Sequence, residues 1–151
     1  MDIGSGKAYP SNALSNFAPH PFVFDGVECS SMEGLLQSFK FTNPDMQKEV
    51  CKLVGLAAKF KGKPKKWWTT QTLYWQGTSY KRDSIEYQHL LNRAYEALAT
   101  NTSFCKALIA SGNSTLTHEI GRSDQSKTVL TKREFISRLN SIREKLLLQN
   151  K

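Results

Sequence analysis

The sequence predicts a single α+β domain, predominantly helical with small β-hairpins, and three observations predict it. Apolar residues recur at helical spacing in several separate stretches, the Asp25-Gly26 pair sits between two short β-prone runs, and no internal repeat or low-complexity tract divides the chain. At 151 residues the chain suits one compact domain, 1–151, burying about two thirds of the surface its unfolded form exposes. A hydrophobic content of 39% with 23% charged residues belongs to a globular domain and excludes a disordered or fibrous one.

Taken in order, residues 1–11, with Gly4, Gly6 and Pro10, read as an irregular lead-in. Ser15, Asn16 and Phe17 precede Pro19 and Pro21 and predict an extended or turning loop, because residues before proline are pushed out of the α region. Phe22-Val23-Phe24 and Val27-Glu28-Cys29 around Asp25-Gly26 predict a hairpin with a type I′ turn. It delivers the chain to a helix at 30–41, begun by Ser30 and Ser31. Asn43 as N-cap and Pro44 at the first helical position predict a helix to about residue 61, with Met46, Val50, Leu53, Val54, Ala57 and Phe60 at core spacing. Lys59, Lys61, Lys63, Lys65 and Lys66 follow around Gly62 and Pro64 and lead into Trp67-Trp68.

Residues 72–76 read as a strand ending at Gly77. The spacing of Tyr87, Leu90, Leu91, Ala94, Tyr95 and Leu98 predicts a helix to about Thr100, and a shorter one over 103–111 is closed by Gly112. A short strand at 115–120 and a polar loop at 121–127 precede the last helix. That helix starts at Thr131 with Glu134 as its capping-box partner and turns Phe135, Leu139, Ile142 and Leu146 inward.

Composition narrows the function classes. No apolar run approaches the roughly 20 residues of a membrane span, and Met1 to Lys7 lack an apolar signal core. A cytoplasmic location away from membranes is expected. Cys29, Cys51 and Cys105 are widely spaced, with no CxxC pair and no histidine ladder, which predicts reduced thiols and no metal site. A net charge of +8 attracts polyanions: nucleic acid, nucleotides or phosphorylated metabolites. The absence of GxGxxG, GxxxxGK[ST], GxSxG and HExxH removes support for dinucleotide oxidoreduction, P-loop phosphoryl transfer, serine hydrolysis and zinc proteolysis.

The chemistry rests on the 30–41 helix. On 100° steps Glu33, Gln37 and Lys40 fall within about 60° of one another, while Met32, Leu35, Leu36 and Phe39 gather on a separate arc. Glu33 has two readings. It closes a capping box back onto the Ser30 amide, or it is a catalytic carboxylate whose charge is favoured at a helix start. The lysines at 59–66 with Trp67 and Trp68 form the best phosphate-plus-ring site, unless the tryptophans anchor the core. Of the scattered His20, His89 and His118, only His118 adjoins a polar loop and an acid, Glu119.

Ser15-Asn16-Phe17, the Asp25-Gly26 hairpin, Ser31-Met32-Glu33, Gln37 and Lys40-Phe41 together resemble the opening signature of the NADAR family of YbiA-like proteins. The resemblance continues through Trp67 or Trp68, Tyr74-Trp75-Gln76-Gly77 and Leu116-Thr117-His118 to the helix carrying Arg143. It implies a YbiA-like domain and an N-glycosidase, the family's activities being on early riboflavin-pathway intermediates and on ADP-ribose attached to guanine bases. It further implies Glu33 as the catalytic carboxylate; separately, the chemistry needs a group to protonate the departing base, a role expected of His118 or Asp124 if the fold brings one within hydrogen-bond distance of the leaving nitrogen. Asn16, Phe17, Gln37, Lys40, Trp67 or Trp68, Tyr74 and Lys127 would hold an ADP-ribose or ribose-phosphate conjugate, including ADP-ribosylated DNA, with no cofactor. Cleaving a C–N glycosidic bond passes through an oxocarbenium-like state that a carboxylate stabilises. Two segments depart from the family pattern: Gly34-Leu35 stand where a histidine and a bulky aromatic are usual, and residues 123–128 replace an aspartate-tryptophan-glycine segment, leaving Asp124 as its equivalent. The alternatives are a module that binds ADP-ribose or nucleic acid without turnover, and a plain basic nucleic-acid binder.

Overall fold

Asp25 and Gly26 turn the first hairpin with positive φ, 48° and 80°, the type I′ geometry their sequence favours. A computed structural model describes residues 1–149 of the chain. In it β1 (Phe22–Phe24) pairs antiparallel with β2 (Val27–Cys29), Phe22 opposite Cys29. Alternation buries Phe22, Phe24, Val27 and Cys29 and leaves Val23 and Glu28 outside. The strand expected at 72–76 is β3 (Thr72–Trp75), and it has a partner that the sequence did not predict, β4 (Thr78–Lys81). The turn between them repeats the first, with Gln76 and Gly77 at φ 46° and 86°. Thr78, Ser79 and Lys81 are exposed and offer no apolar alternation, which is why β4 was hidden.

Seven helices complete the described chain: α1 (Ser11–Leu14), α2 (Met32–Ser38), α3 (Pro44–Cys51), α4 (Gly55–Gly62), α5 (Ile85–Leu98), α6 (Thr102–Ala110) and α7 (Lys132–Gln149). Their starts are side-chain capped where the sequence offered caps. Asn43 accepts from the Asp45 and Met46 amides, Ser84 from Tyr87, and Asn101 from Phe104. The core lies where α2 and α5 meet the two hairpins. The Trp75 ring stacks on Phe24 at 5.4 Å and meets Phe39 edge-on at 5.7 Å, while its indole N–H donates to Asp25 at 2.8 Å. No described helix is long and apolar enough to cross a membrane.

Three expectations are corrected. The lead-in is anchored: Ile3 is fully buried, its amide donates to the Thr117 carbonyl at 2.8 Å, and the Thr117 amide donates to Met1 at 2.9 Å. The strand expected at 115–120 shrinks to this one bridge, between Asp2 and Thr117. The helix expected over 44–61 is two helices, broken at 52–54 and restarted by Gly55 at φ +54°. The break rotates the second half about its axis, so Ala58 and Gly62 face inward, whereas Val54, Leu56, Ala57 and Phe60 are exposed. Of the six core positions expected there, Val50 is fully buried, Leu53 is half-buried and the other four, Met46 among them, are exposed.

A buried ion pair helps to join the last third to the rest. Arg82, 1% exposed, donates through both terminal nitrogens to Glu134 at 2.6 and 3.0 Å and through Nε to the Thr128 carbonyl at 2.8 Å. Glu134 also closes the predicted capping box. It accepts from the Thr131 amide at 2.7 Å, while the Thr131 hydroxyl accepts from the Glu134 amide at 3.1 Å. Glu134→Ala should therefore cost about 3–5 kcal/mol, since it strands a buried guanidinium. Thr131→Ala, which removes a cap alone, should cost about 1 kcal/mol. Urea unfolding of the two variants measures the difference, and equal losses would count against the ion pair as a tie.

Candidate active site

The helix that carries Glu33 starts one residue later than expected. Ser31, not Ser30, is the N-cap: its hydroxyl accepts from the Gly34 amide at 3.1 Å and donates to the Leu53 carbonyl at 2.9 Å. The Ser30 amide is already bonded to the Cys51 carbonyl at 2.8 Å. Glu33 thus occupies the second helical position, and the capping box of Ser30 and Glu33 does not form. Its carboxylate turns along the helix and accepts from the Gln37 side-chain amide at 2.8 Å, one turn on.

Two close approaches hold α2 in place. A side chain at Gly34 would meet the carbonyls of Leu53, Val50 and Cys51 at 2.7–3.1 Å, so only glycine lets the 50–53 backbone lie against the helix. This is the physical reason that the position following the carboxylate carries no bulk. On α4, a β-carbon at Gly62 would lie 1.9 Å from Gln37 Oε1. That oxygen is buried and has no hydrogen-bond partner.

The Asn16 loop forms a third wall. The Asn16 carbonyl accepts from the Glu33 amide at 3.0 Å, and its side-chain oxygen accepts from the Tyr95 hydroxyl of α5 at 2.8 Å. Phe17 is half-buried beside the Gly55 turn. Tyr95 counted as an apolar position of α5 in the sequence, yet its hydroxyl ties α5 to the loop that holds Glu33. Burial pushes that hydroxyl well above the usual tyrosine range.

Glu33 is half-buried and forms no ion pair among the described residues. Loss of water raises its carboxyl above the ordinary value, and this is opposed by the Gln37 hydrogen bond and by the charges of Lys40, Lys59 and His118. Burial likewise holds Lys40 below the usual lysine range, with Glu33 pulling it back. The fold therefore brings Glu33, Gln37, Lys40, Asn16, Tyr95, Lys59 and His118 into one electrostatic neighbourhood. His118 donates Nδ1–H to the Ile3 carbonyl at 2.9 Å and packs edge-on against Phe135.

The other expected site residues lie apart from this group. Asp124 is exposed and accepts from the Ser126 amide at 3.0 Å and hydroxyl at 2.7 Å, which hold its carboxyl below the usual range. It lines a separate polar cleft of about 600 Å³ with Gln88, Thr131, Arg133, Glu134 and Arg138, where Glu33 is not on the wall. Lys127 is exposed at the end of the same one-turn segment. Trp67 is a core residue, Trp68 is 47% exposed, and Tyr74 is half-buried on β3, bound through its backbone to Phe39 and Gln47. Among the described residues no group of three or more His, Cys, Asp or Glu stands together as a metal site would require.

Because folding raises the Glu33 carboxyl, the native state binds that proton more tightly than the unfolded chain. Glu33 costs stability above its folded value, and the cost disappears as pH falls below the unfolded value near 4.5. Glu33→Gln should melt higher than wild type near neutral pH, by about 2–4 °C per kcal/mol regained at this chain length, with the gap closing toward pH 4. A gap independent of pH in calorimetry would refute the desolvated carboxylate. Gly62→Ala should drive Gln37 off Glu33, cost about 1–3 kcal/mol and raise the Glu33 carboxyl further, which carboxyl-carbon NMR titration reads directly.

Comparison with known proteins places these features in a family. The model for bacteriophage protein GP30.3 matches residues 8–144. The chain is 39% identical over 149 residues to an uncharacterised 17.1 kDa protein in the Gp30–rIII intergenic region of Enterobacteria phage T4, covering 97% of this chain and 98% of that protein. Its fold is similar to the NMR structure of the E. coli protein YbiA, with a TM-score of 0.65 at 17% identity over 99% of this chain and 86% of that one. The YbiA-like resemblance read in the sequence is borne out in the fold. The chain belongs to the bacteriophage GP30.3 family and is built on the fold of YbiA.

Proposed function

We propose that this protein is an N-glycosidase that hydrolyses the C–N bond of an ADP-ribose or ribose-phosphate conjugate, with ADP-ribose on guanine bases of nucleic acid as its substrate. The observation that carries the reading is Glu33, a desolvated carboxylate without a counter-ion among the described residues, aligned by Gln37 and ringed at a distance by Lys40, Lys59 and His118. A desolvated anion with no cation bonded to it is costly. A sugar carbon that becomes cationic only at the transition state supplies the missing charge when it matters, so the attraction acts on the rate rather than on ground-state binding.

The C1′–N bond breaks with its electron pair moving to the base nitrogen, which takes a proton, and the developing oxocarbenium is stabilised by the Glu33 carboxylate. Water adds to C1′ and gives its proton to Glu33, whose raised carboxyl suits an acceptor. Lys40 and Lys59 supply positive charge for the phosphates. Of the two groups considered for protonating the base, His118 shares the Glu33 neighbourhood and Asp124 does not, so His118 is assigned that role.

Glu33→Gln should lower the release of ADP-ribose from an ADP-ribosylated guanine oligonucleotide by about 10²–10⁴-fold, followed by mass spectrometry. Release at the wild-type rate would overturn the assignment. Activity should rise with pH through a limb above 4.5, the ordinary carboxyl value, because the ionised form acts and burial raises it. Gln37→Leu should move that limb higher still, since it deletes the hydrogen bond that favours the charged form. Release of ribose phosphate from a riboflavin-pathway intermediate, with none from the oligonucleotide, would transfer the same chemistry to a metabolite. Binding of ADP-ribose with no release from either substrate would identify a non-catalytic module.

A further inference from the structure

The positive charge of this protein is concentrated in one segment. Residues 50–82 contain Lys52, the five lysines from Lys59 to Lys66, Lys81 and Arg82, and no acidic residue. The remaining thirteen basic residues balance all thirteen acidic ones. Within the segment, Lys52 pairs with Glu49 and Arg82 is buried against Glu134. Six cations of the segment remain, and five of them, Lys59 to Lys66, stand on α4 and the chain just beyond it.

The same helix is packed inside out. It meets α2 with Ala58, fully buried, and Gly62, and it turns Leu56 and Phe60 outward at 57% and 56% exposure. On 100° steps Leu56, Lys59, Phe60 and Lys63 share a face about 100° wide. The Lys63 ammonium lies 5.9 Å from the Phe60 ring centre. Trp68, 47% exposed, follows the last of the lysines. A helix lying on a membrane segregates its lysines from its apolar residues, and protein interfaces are depleted of lysine. Rings interleaved with lysines on one face match a strand whose bases are unstacked and whose phosphates are regularly spaced.

We propose that the exposed face of α4, continued through Lys65, Lys66 and Trp68, is a docking surface for single-stranded nucleic acid, with Phe60 stacking on a base and the lysines taking phosphates. α4 carries this face on one side and on the other packs Gly62 against Gln37, the hydrogen-bond partner of Glu33, so a strand held there is led toward the carboxylate. That second statement rests on the glycosidase reading, whereas the surface itself does not.

The test is fluorescence anisotropy with an unmodified labelled oligonucleotide of about twelve nucleotides, a length within the range of ordinary single-strand sites, as single strand and as duplex across a salt series. The single strand should bind more tightly than the duplex, with a log–log salt slope of about −0.7 per phosphate contacted. Phe60→Ala, at an exposed position that leaves the circular dichroism spectrum intact, should weaken binding about 5- to 100-fold. Lys63→Glu combined with Lys66→Glu should flatten the salt slope, whereas Lys145→Glu on α7 should not. Unchanged affinity in Phe60→Ala, an equal loss from Lys145→Glu, a preference for duplex, or binding of anionic phosphatidylserine vesicles in place of the oligonucleotide would each overturn the proposal. Since the oligonucleotide carries no ADP-ribose, such a result would leave the hydrolytic reading standing. Conversely, binding by a protein that releases no ADP-ribose would retain the surface and remove the glycosidase.

Discussion

The site depends on how closely backbone approaches α2. Carbonyls of the 50–53 segment occupy the space where any side chain at position 34 would begin, and Gly62 does the same for Gln37 from the other side. These two contacts require a chain that wraps around the helix, and a continuous helix over 44–61 cannot wrap. The break at 52–54, with Gly55 in the left-handed region, is the solution. It brings the Leu53 carbonyl to the Ser31 hydroxyl and turns the small face of α4 inward. The close packing on Gln37 and the exposure of Phe60 therefore share one cause. The helix that packs on Gln37 places its smallest residues at the contact and has only its larger ones left for the surface.

Two glutamates with the same sequence signature have opposite fates, and the comparison shows what decides them. Thr131 and Glu134 form a complete capping box, and Arg82 and Gln88 also donate to that carboxylate, so it is held below the usual range despite its burial. Ser30 and Glu33 have the same spacing, but the Ser30 amide is taken by Cys51 and the cap slips to Ser31. One residue of slip moves Glu33 from the third helical position to the second and replaces an ionic environment with a neutral amide. The structural carboxylate is saturated with donors, whereas the candidate catalytic one has a single hydrogen bond among the described residues. A group meant to respond to a developing charge must not be neutralised beforehand.

What the sequence revealed was local. Asp25-Gly26, Asn43-Pro44 and the apolar spacing of α5 and α7 act over a few residues, and each element forms where those signals stand. The Glu33, Gln37 and Lys40 stripe was legible for the same reason, since three residues on one helix share a face whatever surrounds them. The rest required knowledge of distant partners. Ile3 is ordered by Thr117, and β4 by its pairing with β3. Tyr95 was hidden because its ring satisfies the core pattern while its hydroxyl serves Asn16. Phe60 was misplaced because periodicity assumed one continuous helix, and a break rotates every later residue.

The cations around Glu33 also give substrate binding a consequence for the chemistry. Burial raises the carboxyl, while Lys40, Lys59 and His118 oppose the rise. On the glycosidase reading, a phosphate held by Lys40 or Lys59 cancels part of that opposing field in a site of low dielectric, where charges act strongly. Binding therefore shifts the balance toward the desolvation effect and increases the proton affinity of Glu33. The carboxylate becomes a better acceptor for the proton of the attacking water only once an anionic substrate is in place. A neutral nucleoside, lacking phosphate, leaves the lysine field intact and the carboxylate a weaker base. Selectivity for phosphorylated conjugates then has two sources, attraction of the phosphate and activation of the group that cleaves the bond, and both arise from the same two lysines.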